Sequence, residues 1–110
     1  MATMLIFRPH QREPRVVDLD AAPWMADVEF VLRGPVERVP GFFSIQHTGA
    51  VHRCVAFALR DRADRPLNVA ATIAWGAALR REMGVGLIRH DGTRADHLVG
   101  PVAVVVDGLG

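Results

Sequence analysis

The chain reads as an α+β domain in which a small mixed sheet of about five to six strands packs with two helices, at residues 21–33 and 69–83. Three observations point there. Helical stretches with apolar packing positions occur in just two places. Short β-branched runs, bounded by proline, glycine and charged residues, fill the rest. The last run, Leu98 to Val106, hardly alternates, as expected of a central strand covered on both faces. With 110 residues, half of them hydrophobic, the chain (1–110) is one domain that builds a core without disulfide or metal.

Thr3 to Arg8 is a first strand, ended by Pro9, which removes a ladder donor. A polar loop, His10 to Pro14, leads to Arg15–Leu19, a short second strand or extended arm. Asp20 is placed to cap a helix that tolerates Pro23 in its first turn. Trp24, Val28, Val31 and Leu32 form its apolar stripe with Met25 beside them, and Gly34-Pro35 stops it. Val36–Val39 and Phe42–Gln46 are strand segments broken or bulged at Pro40-Gly41. His47 to Ala50 is a hairpin turn in which Gly49 supplies a positive φ, and Val51–Leu59 is the returning strand. Arg60 to Pro66 alternates in charge and belongs in solvent.

Asn68 caps the second helix, Val69 to Met83, which ends at Gly84. Val69, Ile73, Gly76 and Arg80 share a face that alanines 70, 74, 77 and 78 widen, so this helix is the more buried one. Val85 to His90 reads as a strand and Asp91-Gly92 as a turn before the last strand.

Composition excludes more than it assigns. All thirteen basic residues are arginine, set among twelve acids for a net charge of +1. That balance gives no global field for nucleic acid and no acidic surface to imitate it. No apolar run approaches the roughly 20 residues of a membrane span, and Met1 to Phe7 is too short for a signal peptide. A lone cysteine, Cys54 in an apolar run, suits a reducing cytoplasm and a buried, inert thiol.

The residues that could carry chemistry are scattered. His47 and His52 flank the hairpin turn, and His90-Asp91 and Asp96-His97 add nitrogen and oxygen donors, without the spacing of a zinc site. Ser44 lacks a nucleophile elbow, and Glu37 with His47, or Asp18 with Asp20, has no spacing that demands acid–base work. Gly84-Val85-Gly86 precedes a strand, the wrong order for a phosphate loop. No catalytic residue, metal or cofactor is expected. The most basic local patch is Arg8, Arg12 and Arg15, and two aromatics, Phe30 and Trp75, stand off the helix stripes. These five residues are the candidate binding groups.

Four stretches carry a resemblance. Val31-Leu-Arg-Gly34-Pro-Val-Glu37-Arg-Val39 is similar to a V-G-G-x-I-E-x-V element, and Gln46 to Ala50 stands where an N-E-x-G-K hairpin would. Pro66 to Thr72 matches P-x-N-x-x-A-T, and Asp96 to Val105 follows D-x-I-x-G-x-V-V-V. In this order they resemble a family of short proteins of unknown function from phages, plasmids and other mobile elements. The hairpin departs from the pattern, keeping only the glycine. The resemblance implies an α+β fold and a mobile-element origin, and brings no established activity. Small proteins of such elements commonly inhibit or adapt host machinery, including restriction and CRISPR defences.

The resulting expectation is a cytoplasmic, non-enzymatic accessory protein that binds a host protein or complex, with inhibition of host defence (restriction or CRISPR) among the modes of action it allows. The alternative is a small-molecule, nucleotide or nucleic-acid binding domain. Nucleic acid is disfavoured by charge, no membrane is involved, and a homodimer is compatible with the reading.

Overall fold

The computed structural model describes residues 2–84 and 97–110. The expected strand at 85–90 and turn at 91–92 lie outside the described residues. Among the described residues six strands and two helices follow in the order β1 (Ala2–Phe7), β2 (Arg15–Leu19), α1 (Met25–Leu32), β3 (Val36–Arg38), β4 (Ser44–His47), β5 (Ala50–Leu59), α2 (Val69–Met83) and β6 (Val102–Val106). The α+β class is as read from sequence. The strand order is β2-β1-β6-β5-β3, with β4 also on β5, and every pairing is antiparallel rather than mixed.

The sheet is the middle of three layers. Met4 and Ile6, Val55, Phe57 and Leu59, Ala103 and Val105 face α1, where Val28 and Leu32 meet them. The alternate residues, Leu5 and Phe7, Ala56 and Ala58, Val102 and Val104, face α2, where Ala71, Trp75, Ala78 and Leu79 cover them. Successive strand residues point to opposite faces, so an inner strand must be apolar wherever both faces are covered, as the Val55–Leu59 half of β5 is. β6 satisfies this completely: all five residues are buried, between β1 and β5.

β6 is shorter than the expected 98–106 because Gly100, at φ 69°, turns the chain ahead of Pro101. Leu98 to Gly100 instead serve the entrance of α2. The Asn68 N–H donates to the Leu98 carbonyl at 2.8 Å, and the Gly100 N–H to that of Pro66 at 2.9 Å.

α1 starts later than expected. Asp20 does not cap it. The Pro23 carbonyl accepts from the Gly110 N–H at 2.9 Å, so the C-terminal segment takes the group that would begin the helix. Trp24 becomes the N-cap, and its N–H donates to the Asp27 carboxylate at 2.9 Å, half of a capping box. At the other end Arg33 itself takes the left-handed conformation, φ 65°.

α2 runs from Val69 to Met83 between Asn68 and Gly84, as the sequence indicates, but it is rotated from the expected face. Val69 and Ile73 are exposed, and the packing stripe is Ala71, Thr72, Trp75, Ala78 and Leu79. In a helix apolar on nearly every side, periodicity does not choose the face. The Trp75 indole N–H chooses it here, donating to the Pro40 carbonyl at 2.8 Å.

The bulge at Pro40-Gly41 sits where the sequence places it. Val39 N–H still donates to the Ala56 carbonyl and Cys54 N–H to that of Phe43, both at 2.9 Å, so one edge of β5 is paired on both sides of the break. Gly41 is required there: its φ is 75°, and a Cβ would come within 2.4 Å of Leu79 Cδ2 on α2. Neither helix is long and apolar enough to cross a membrane.

Candidate binding groove

The C-terminal end of β1, the start of β2 and the end of α1 converge at one corner of the molecule. Phe7 ends β1, Arg8 emerges into solvent, and the return through Pro14 brings Arg15 opposite Ile6 in the β1–β2 register. α1 lies on this face, and its left-handed end projects Arg33 to the same place. Between helix and strands is an open groove of about 940 Å³, lined by Ile6, Val17, Val31 and Phe30 with Arg8, Arg15 and Arg33. Phe30 is 86% exposed, and with exposed Trp24 on the same seam it makes a contiguous apolar surface of the kind that marks interaction sites.

None of the three guanidiniums is ion-paired within the described residues; the pair that forms there, Arg62 with Glu37, is elsewhere. Glu29, the carboxylate at this end, accepts from the Val36 N–H at 3.3 Å and is occupied in joining α1 to β3. The groove continues past Phe30 along the α1–β2 seam to Leu19, Asp20, Trp24 and Asp27. Trp24 is 69% exposed there. One end of the seam is therefore basic, the other acidic and aromatic, over an apolar floor.

The sequence-derived binding residues separate into three groups. Arg8, Arg15 and Phe30 meet in this groove. Arg12 does not join them: it lies in a different depression with His10, Gln11, Leu67 and Ile73. The basic patch is split because the loop between β1 and β2 carries Arg12 to the α2 side, whereas Arg8 and Arg15 line the groove beside α1. Trp75 is 4% exposed and belongs to the core, so it is no surface anchor. Sequence reasoning missed Arg33 and the exposed Trp24. Arg33 carried a signal, an arginine at the helix stop beside Gly34; Trp24 was absorbed into a helical stripe that begins after it.

The remaining candidates have structural partners. Asn68, 0% exposed, accepts from the Ala71 N–H at 3.1 Å as a cap. Its amide also donates to the carbonyls of Phe7 at 2.9 Å and Gly100 at 2.8 Å. It ties α2 to the ends of β1 and β6. Cys54 donates to the Phe42 carbonyl at 3.7 Å, and burial pushes its thiol up to about 12. Such a thiol is a poor nucleophile. The His52 ring contacts the His47 carbonyl at 3.1 Å, with the two rings 6.1 Å apart, and among the described residues no cluster of metal-ligating side chains forms. His90, Asp91 and Asp96 lie outside the described residues.

Comparison with family models, with curated proteins and with solved structures finds no match for this chain.

Proposed function

We propose that this is a non-enzymatic binding protein that docks a segment of another protein along the α1–β2 seam. The observation that carries the reading is the meeting of exposed Phe30 with Arg8, Arg15 and Arg33, none ion-paired among the described residues, over an apolar floor. Aromatic and arginine side chains are the groups that contribute most at protein interfaces. The motif resemblance to proteins of mobile elements makes a host protein or complex, including a defence complex, the partner class.

Charge along the seam favours protein over nucleic acid. A polyanion held by the three arginines would run onto Asp20 and Asp27 at the Trp24 end. A peptide segment with acidic residues at one end and apolar or basic ones at the other meets no such repulsion. The seam offers guanidinium, carboxylate, aliphatic and aromatic groups, the kinds that line protein-binding surfaces.

The test is affinity capture from the native host with and without nuclease, using the wild type and a Phe30→Ala, Arg15→Glu double variant. Both sites are exposed, so the variant keeps its stability within about 0.5 kcal/mol. The expected result is a partner retained after nuclease and lost with the variant. Nuclease-sensitive capture promotes nucleic acid as the ligand. A dimer by sedimentation of the free protein, broken by the same variant, makes a second copy the occupant.

A further inference from the structure

The opposite face of the sheet carries a second concavity that owes nothing to the α1 seam. It runs along α2, where Ala70, Ala74 and Ala77 present only methyl groups toward the floor formed by Leu5, Phe7 and Val16. The hairpin between β4 and β5 closes one end. The space is about 460 Å³, within the range of small-molecule sites. Large side chains of α2, Trp75 and Leu79, fill the neighbouring face instead.

Five polar side chains line this cavity, Glu13, Gln46, His47, Thr48 and Arg81, and the arginine is the one tied to a side chain of another element. Arg81, one turn beyond Ala77 on the same line of the helix, donates its Nε–H to Ser44 Oγ at 3.0 Å. Ser44 is buried on β4, so the guanidinium is anchored on one edge. Its terminal N–H groups have no ion-pair partner within the described residues. An anchored, otherwise unpaired guanidinium beside an apolar trough matches a carboxylate on an apolar body. Glu13 also lines the cavity, which disfavours a second negative charge on the ligand.

We propose that this cavity binds a small amphipathic monoanion, an aliphatic or arylalkyl carboxylate, with its carboxylate on Arg81 and its apolar part between α2 and β1. Octanoate is the probe, titrated calorimetrically into the full chain, with 1-octanol as the same tail lacking the anion. Octanoate is expected to bind at one saturable site, and octanol at least about tenfold more weakly. Arg81→Met should cost octanoate about tenfold and leave octanol unchanged. Ala74→Leu, a substitution by another strong helix former that fills the trough, should abolish both. Phe30→Ala, on the other face, should change neither, which keeps this proposal separable from the protein-docking one. No saturable octanoate binding into the low millimolar range overturns the proposal, as does equal affinity for octanol. So does wild-type affinity in a folded Ala74→Leu protein. If that variant does not fold, the octanoate–octanol pair and Arg81→Met decide.

Discussion

Asn68 shows how much one side chain can hold. Its carbonyl oxygen caps α2 while its amide satisfies two carbonyls from strands far away in sequence, all without solvent. Asn68→Ala removes the cap and orphans both carbonyls, so it should cost about 3 kcal/mol in urea denaturation. From sequence, where the residue is only a cap, Asn68→Asp would be nearly neutral. The structure reverses that. An aspartate keeps the cap acceptor but aims a carboxylate at two carbonyl oxygens, and should cost about 3–5 kcal/mol at neutral pH. Burial raises the pKa of that carboxyl in the folded state. The deficit relative to wild type should therefore shrink as pH falls, when the protonated acid donates one of the lost hydrogen bonds. Denaturation at pH 7 and pH 4 checks the sign.

Cys54 makes a second prediction at this scale. Burial is the main cause that lifts its thiol from 9.0 to about 12, with nearby Arg81 opposing. At pH 8 the thiolate fraction is about 10⁻⁴, so iodoacetamide should label the native protein far more slowly than the urea-unfolded chain. The folded state holds the proton more tightly than the unfolded one. Its contribution to stability is complete below pH 9 and declines as pH rises toward 12.

Among the elements, the β4–β5 hairpin carries the clearest local conflict. Thr48 and Gly49 connect His47 to Ala50, and both have positive φ, 52° and 79°, as in a type I′ turn. Glycine accepts this without strain; a β-branched threonine does not. Its hydroxyl donates to the His47 carbonyl at 2.7 Å, an exposed bond that offsets little of the cost. Thr48→Asn should raise stability by about 0.5–1 kcal/mol, read from the urea midpoint at unchanged m-value.

For the molecule as a whole, the last strand is the keystone of the sheet. β6 joins β1, with β2 beyond it, to β5, with β3 and β4 beyond that. A chain truncated after His97 loses this contact and both halves expose apolar faces. It should show no cooperative unfolding transition by circular dichroism, whereas removing only Gly108 to Gly110 should leave one. The second whole-molecule property is charge. With +1 net, and acids at one end of the seam, partner binding should weaken by less than about tenfold between about 50 and 200 mM salt. A ligand neutralising six or more phosphates would lose about 10³-fold. Affinity measured across salt separates the two.

Much of this was legible in the chain itself. Residues that need special backbone geometry announce it locally: Asn68 and Gly84 bound α2, Pro40-Gly41 marks the bulge, and Thr48-Gly49 marks the turn. The unbroken apolar run of β6 showed that it is covered on both faces, because an exposed face would admit polar residues. Other features depend on partners distant in sequence, and periodicity holds no information about them. The rotation of α2 follows from the Trp75 bond to Pro40, and the late start of α1 from Gly110 capturing the Pro23 carbonyl. The grouping of Arg8, Arg15 and Arg33, with Arg12 left out, follows from the β1–β2 register and from the loop that carries Arg12 to the α2 side. Local propensity determined the elements; long-range hydrogen bonds and close packing decided which faces they show and so where a ligand can sit.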